Sequence, residues 1–150
     1  MNTTIAVPRG CTNFKTRQLA RVLSRLYDSE LAKVGLKTTQ FSLLSHVLTH
    51  GPIAPGELAR LMGLDASTLT RNLRPLVEAG WLLQDAGADA RTRVVTITFA
   101  GRQRQVEAKQ CWKAAQKNIN AVLGIERVSA LHGLVDECLA QLQSNEAEQP

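Results

Sequence analysis

The sequence predicts a mainly helical α+β fold, and three observations predict it. Apolar residues recur every three or four positions over most of the chain, the helical period. Two short segments in the middle, Trp81 to Gln84 and Val94 to Thr98, are instead rich in β-prone residues and flank a polar stretch containing Gly87. Between Gly56 and Ile97 a short helix, a tight turn, a second helix ending at Gly80 and this basic hairpin follow without spare residues. That order is the layout of a winged helix-turn-helix, here with a long helix before it and two after it.

The elements follow in order. Residues 1–11 hold Pro8 and Gly10 and show no period, so they read as a mobile tail. From Asn13 to Val34 the residues Leu19, Val22, Leu23, Leu26, Leu31 and Val34 form one stripe of a long amphipathic helix that Gly35 stops. Thr39 is placed to cap a second helix through Leu48, ended by Gly51 and Pro52. Pro55 suits the first turn of a third helix, Glu57 complements its positive end, and Gly63 closes it. Asp65 is set to accept the free amides opening a fourth helix, Ala66 to Ala79. Pro75 deletes one backbone bond inside that helix, so a bend is expected between Arg71 and Pro75.

The hairpin is expected to have a loose tip over Asp85 to Arg93. After Ala100 and Gly101 a helix runs to about Leu123, with Ala108, Trp112, Ala115, Ile119 and Val122 on one face. Gly124 breaks it, and a last helix from Glu126 to about Gln143 carries Val128, Leu131, Leu134, Val135, Cys138, Leu139 and Leu142 on another, Cys138 reading as a small core residue. Residues 144–150 are polar and expected to fray. The reading is one folding unit over 12–143, with a winged module at 38–100 and helices at 12–34 and 102–143. A winged module of about 60 residues already has its own small core. The stripes outside it need another surface, and the same stripes on a second copy supply it, so a homodimer is expected.

Charge and cysteines narrow the function classes. Lysine and arginine number 18 against 13 aspartates and glutamates, a net +5 that favours a polyanionic partner. No apolar run approaches the roughly 18–20 residues that span a bilayer, and the first ten residues lack the apolar centre of a signal peptide. A cytoplasmic protein without membrane contact is expected. Cys11, Cys111 and Cys138 are odd in number and lack C-x-x-C spacing, which argues against a disulfide framework or a zinc knuckle. No Ser/His/Asp spacing, glycine-rich phosphate loop or paired-carboxylate motif occurs, so neither catalysis nor a cofactor is expected. His46 and His50 share a helix face, but no carboxylate or cysteine lies near them in sequence, and no metal site is assigned.

The fourth helix carries the chemistry. Leu69, Leu73, Leu76 and Val77 fall on one side at about 100° per residue, leaving Ser67, Thr68, Arg71 and Arg74 opposite. An arginine fork suits the O6 and N7 atoms of guanine, so Arg71 is the candidate base reader in double-stranded DNA. Ser67 and Thr68 would position the helix, with Thr70 and Asn72 flanking. Arg91 and Arg93 at the hairpin would neutralise phosphates or enter the minor groove. A rival reading keeps the winged fold but points the Arg71 helix at another protein.

The chain resembles the MarR family, the multiple-antibiotic-resistance regulators of bacteria, over roughly residues 12–143. The resemblance lies in Gly35-Leu36-Lys37-Thr38-Thr39-Gln40-Phe41-Ser42-Leu43-Leu44, Glu57-Leu58-Ala59, Ser67-Thr68-Leu69-Thr70-Arg71-Asn72-Leu73 and Gly80-Trp81-Leu82. It continues in Asp89-Ala90-Arg91, Val95-Thr96-Ile97-Thr98 and Gly101. The chain departs from the family at Ala54, where a capping threonine or serine is usual, and at Thr92, often charged. The resemblance implies a homodimeric repressor on a pseudo-palindromic operator, with Ser67, Thr68, Thr70 and Arg71 in the groove and Arg91 at the wing, oriented by a salt bridge from Asp89. It also implies release by a small phenolic or lipophilic ligand, in a cleft walled by Tyr27, Phe41, His46, Trp81 and Trp112. Cys11, beside Arg9 and a helix start, is the alternative sensor, of oxidants or thiophilic metals.

Overall fold

The computed structural model describes residues 7–89 and 91–147. The first six residues of the expected tail, Ala90 of the wing motif and residues 148–150 lie outside them. Six α-helices and two strands occur among the described residues: α1 (Thr12–Leu31), α2 (Thr38–His50), α3 (Pro55–Met62), α4 (Ala66–Glu78), β1 (Leu82–Ala86), β2 (Arg93–Ile97), α5 (Phe99–Leu123) and α6 (Ile125–Ala147). The fold is mostly helical with one two-stranded antiparallel sheet, as the sequence predicts. None of the helices is long and apolar enough to cross a membrane. The chain divides into two compact units, Met1–Trp112 and Lys113–Pro150.

In the first unit α1 ends in a 3-10 turn, Ala32–Val34, and Gly35 turns the chain with φ 70°. The α2 start differs from expectation. The helix begins at Thr38, not after Thr39, because a carboxylate from α1 supplies the cap: the Thr38 amide donates to Asp28 Oδ1 at 2.6 Å, and the Lys37 amide to Gln40 Oε1 at 2.9 Å. Ala54 gives α3 no side-chain cap, as its methyl group dictates. Ile53 forms an antiparallel bridge with Val95, donating to and accepting from it at 3.1 and 2.8 Å, and so ties the α2–α3 connection to β2.

The core of this unit is leucine-rich. Leu31, Leu43, Leu44, Leu58, Leu69, Leu76, Leu82 and Val95 are fully buried, with Leu36, Phe41, Val47, Ile53, Leu73 and Ala108 around them. Burying each such side chain favours folding by roughly 1.5–3 kcal/mol before entropy is counted. The strands pair with Leu82 opposite Ile97 and Ala86 opposite Arg93, so β1 runs two residues past Gln84 and the hairpin tip is tighter than the loose loop expected.

The second unit holds the end of α5 and all of α6, separated by Gly124 at φ 85°. Ala115, Ile119 and Val128 are buried, and Arg127 Nη1 donates to the Leu123 carbonyl at 2.8 Å, satisfying a helix-end acceptor. The α6 helix continues to Ala147, past Gln143. Its expected stripe is exposed: Leu134, Val135, Leu139 and Leu142 face solvent, and Cys138 with them, which corrects the reading of Cys138 as a core residue of the single chain.

Candidate nucleic-acid interface

Two tight features aim α4 outward. Gly63 closes α3 with φ 63°, a left-handed conformation that costs a side-chain-bearing residue more, and the Leu64 amide returns to the Ala59 carbonyl at 2.9 Å. Two residues later Asp65 opens α4, as its position before the apolar period predicts. Its Oδ1 accepts from the Thr68 amide at 2.7 Å. Leu69, Leu73 and Leu76 anchor the inner face, which leaves Ser67, Thr70, Arg71 and Arg74 exposed and Thr68 and Asn72 half-buried. The helix runs through Pro75 to Glu78 without interruption.

The hydroxyls of this face are engaged within the chain. Ser67 Oγ donates to Asp65 Oδ1 at 2.7 Å, Thr68 Oγ1 to Asp65 Oδ2 at 2.8 Å, and Thr70 Oγ1 to the Ala66 carbonyl at 2.9 Å. The Ser67 hydroxyl, followed by the Thr68 amide and hydroxyl, holds the Asp65 carboxyl well below the usual carboxylate range. Ser67 and Thr68 therefore serve first to fix the helix start, a role their spacing from Asp65 signals but the sequence reading did not assign. Arg71 Nη2 rests 3.3 Å from Thr68 Oγ1, while Arg74 Nε pairs with Glu78 Oε1 at 2.8 Å. Arg71 has no carboxylate partner among the described ion pairs, so its fork is the more available of the two.

At the hairpin tip the Thr92 amide and hydroxyl both donate to the Asp89 carbonyl, at 2.9 and 2.8 Å, and the Gly87 amide to the Thr92 carbonyl. Asp89 Oδ1 accepts the Arg91 backbone N–H at 3.2 Å. The expected Asp89–Arg91 salt bridge is absent among the described ion pairs; the carboxylate shapes the turn and leaves the guanidinium exposed. Arg93 is exposed at the first position of β2. The structure thus places three exposed arginines without ion-pair partners among the described residues on one helix and one hairpin, with Arg74 in a local pair.

The aromatic candidates divide into smaller groups. Phe41 and Trp112 pair with ring centroids 6.3 Å apart, and burial raises the Tyr27 phenol above its ordinary value. Trp81 lies under the Arg104 guanidinium at 5.0 Å. His46 stacks on His50 and bonds through Nδ1 to the Ser42 carbonyl at 2.8 Å. No three His, Cys, Asp or Glu residues among those described cluster as metal ligands. Cys11 is exposed at the α1 N-cap position, and Cys111 is half-buried against the core.

Comparison with known proteins gives the same arrangement an ancestry. A model of the MarR family matches residues 34–92. YwoH, a helix-turn-helix-type transcriptional regulator of Bacillus subtilis, is 30% identical over 90 residues, 60% of this chain; the match spans 66% of that relative. The crystal structure of the Mycobacterium tuberculosis transcriptional regulator MosR in complex with DNA shares 34% identity and a TM-score of 0.72, covering 87% of this chain and 98% of that one. A MarR variant from E. coli complexed with operator DNA shares 23% identity and a TM-score of 0.77 over 85% and 92% of the two chains, a likeness of fold. With the family model spanning the helix-turn-helix and the first strand and tip of the hairpin, and a 34%-identical regulator covered almost end to end, the chain belongs to the MarR family of winged helix-turn-helix transcriptional regulators.

Proposed function

We propose that this protein is a sequence-specific DNA-binding regulator that acts as a homodimer, represses transcription from a pseudo-palindromic operator, and is released by a small phenolic or lipophilic ligand. One observation carries the DNA-binding part: Arg71 stands exposed and without an ion-pair partner among the described residues, on a helix whose other face is locked by buried leucines. Arg71 reads base edges, Asn72 and Arg74 flank it, and Arg91 and Arg93 take phosphates or the minor groove. The DNA complexes of MosR and of the MarR variant support a nucleic-acid partner.

The homodimer is supported by apolar side chains left exposed in each unit. Phe14, Leu19, Val22 and Leu26 on α1 and Leu134, Leu139 and Leu142 on α6 stay substantially exposed in the single chain. Rows of this kind mark association surfaces on soluble proteins. The ligand part is supported by the placement of Tyr27, Trp81 and Trp112 at the edge of the core rather than within it.

Binding to the protein's own promoter DNA, followed by fluorescence anisotropy across a salt series, tests the reading. Steep weakening with rising salt is expected, with about one counterion released per phosphate neutralised. No salt response would favour the protein-interaction reading, and equal, salt-dependent affinity for promoter and random duplexes would mean DNA binding without sequence preference. Thermal-shift screening of phenolic acids tests the ligand, since a binder of the folded state raises the melting temperature.

A further inference from the structure

Arg104, on α5, is an arginine to which the sequence reading gave no role. Its side chain is 34% exposed and its guanidinium meets three partners, two through Nη1 and one through its face. Nη1 donates to the Val34 carbonyl at 3.1 Å and lies 3.2 Å from Glu107 Oε2, while the flat face sits 5.0 Å above the Trp81 ring. Val34 closes the turn that finishes α1, and Trp81 follows Gly80 at the end of α4. One side chain therefore joins the end of α1, the start of α5 and the exit of the helix carrying Arg71.

The Trp81 side of this joint is rigid for independent reasons. Thr98 Oγ1 shares its proton between the Gly80 and Trp81 carbonyls, at 2.7 and 3.2 Å, and accepts the Gly101 amide at 3.0 Å. The Thr98 amide donates to the Trp81 carbonyl at 3.1 Å. A Cβ on Gly101 would lie 2.0 Å from that same oxygen, so the backbones meet as closely as a glycine permits. The exit of α4 is thereby clamped to α5, and Arg104 extends the clamp to the end of α1. Lysine would not replace it, because a point ammonium cannot cover a ring face while serving two acceptors in one plane.

We propose that Arg104 is a positioning residue for DNA recognition, a strut that holds the aim of α4 against the end of α1 without touching nucleic acid. This rests on the DNA-binding reading above, and its test has one arm that needs no DNA. In full-length Arg104→Ala and Arg104→Gln, hydrogen exchange of the Gly35 and Leu36 amides, which close the turn whose Val34 carbonyl Arg104 holds, is expected to quicken in the free protein, with the fold retained by circular dichroism. Promoter affinity is expected to fall about tenfold, the scale of losing one cation–π contact and one charge-assisted hydrogen bond. The slope of log affinity against log salt should stay at the wild-type value because no phosphate contact is lost. Affinity for a random duplex should change by less than about threefold. Arg104→Lys, the safer variant for folding, should lie between wild type and alanine.

Unchanged exchange at Gly35 and Leu36 would overturn the strut. Quickened exchange with promoter affinity within about twofold of wild type would reduce it to a packing contact and overturn the positioning role. A shallower salt slope, or equal loss on promoter and random duplexes, would make Arg104 a phosphate contact instead. Wild-type protein that binds no duplex would remove the DNA-binding reading and this role with it, while exchange in the free protein would still report whether the strut exists.

Discussion

Arg71 and Asp65 sit six residues apart and do opposite work. In the proposed reading Arg71, outside the described ion pairs, offers its fork to a groove, and a good bidentate contact discriminates between bases by roughly 1–3 kcal/mol. Arg71→Ala should therefore shrink the ratio of promoter to random-duplex affinity about tenfold or more, while Arg91→Ala weakens both duplexes alike and lowers the salt slope by about one. Asp65 is turned inward to its own helix start, its carboxylate stabilised by the Ser67 hydroxyl and by the Thr68 amide and hydroxyl. Because its folded value lies below the ordinary 3.8, protonation favours the unfolded chain, and the stability it confers is full above that pH and lost as pH falls below it. Asp65→Ala should lower the melting temperature at neutral pH by a few degrees, and the gap should close as the pH drops below about 4 in a thermal titration. A gap that stays constant to pH 2 would mean the carboxylate's charge is not what matters. The cap was legible in sequence because capping is local, three residues wide. That the neighbouring hydroxyls are committed to it was less so, since serine and threonine at a helix start suit a phosphate equally well.

Among the elements, local rules predicted helix ends and missed what crosses between segments. Gly35, Gly63, Gly80 and Gly124 each stop a helix with positive φ, where glycine chemistry alone decides. The start of α2 lies two residues earlier than a Thr39 cap would put it because Asp28, ten residues upstream, caps Thr38. Ile53 between Pro52 and Ala54 carries no strand period, yet pairs with Val95. Arg104 meets Val34 across seventy positions, a contact that no window of sequence encodes. Gly101 belongs to the same class, since only the folded joint shows what occupies the space beside it. Gly101→Ala should destabilise the protein markedly, because the carbonyl it meets is backbone and cannot rotate away. Gly56→Ala, in the first turn of α3 with open space around it, should be neutral or stabilising by up to about 1 kcal/mol. Urea unfolding of the pair reads both outcomes, and equal effects would mean the close approach at Gly101 relaxes at little cost.

For the whole molecule, the decisive quantity is the apolar surface a single chain leaves wet. Leu134, Leu139 and Leu142 are 60%, 51% and 63% exposed, at helical spacing on a long helix whose own unit buries only a few residues. A chain this charged gains little by exposing such a row in isolation, whereas a second copy removes it from water at roughly 25 cal/mol per Å². The consequence for function is larger than the stability gained. In the proposed homodimer, two linked recognition helices would turn the second docking into an intramolecular event, which would raise promoter affinity by about 10²–10⁴ with no new contact. Leu139→Glu, placed where the single chain leaves the side chain exposed, should leave circular dichroism unchanged, give a monomeric mass by light scattering, and cost promoter binding by about that factor while leaving Arg71 in place. A wild-type protein that is monomeric at tens of micromolar and still binds the promoter tightly would contradict the homodimer. A monomeric variant that keeps full affinity would instead separate assembly from recognition, and the operator would then be read by one helix at a time.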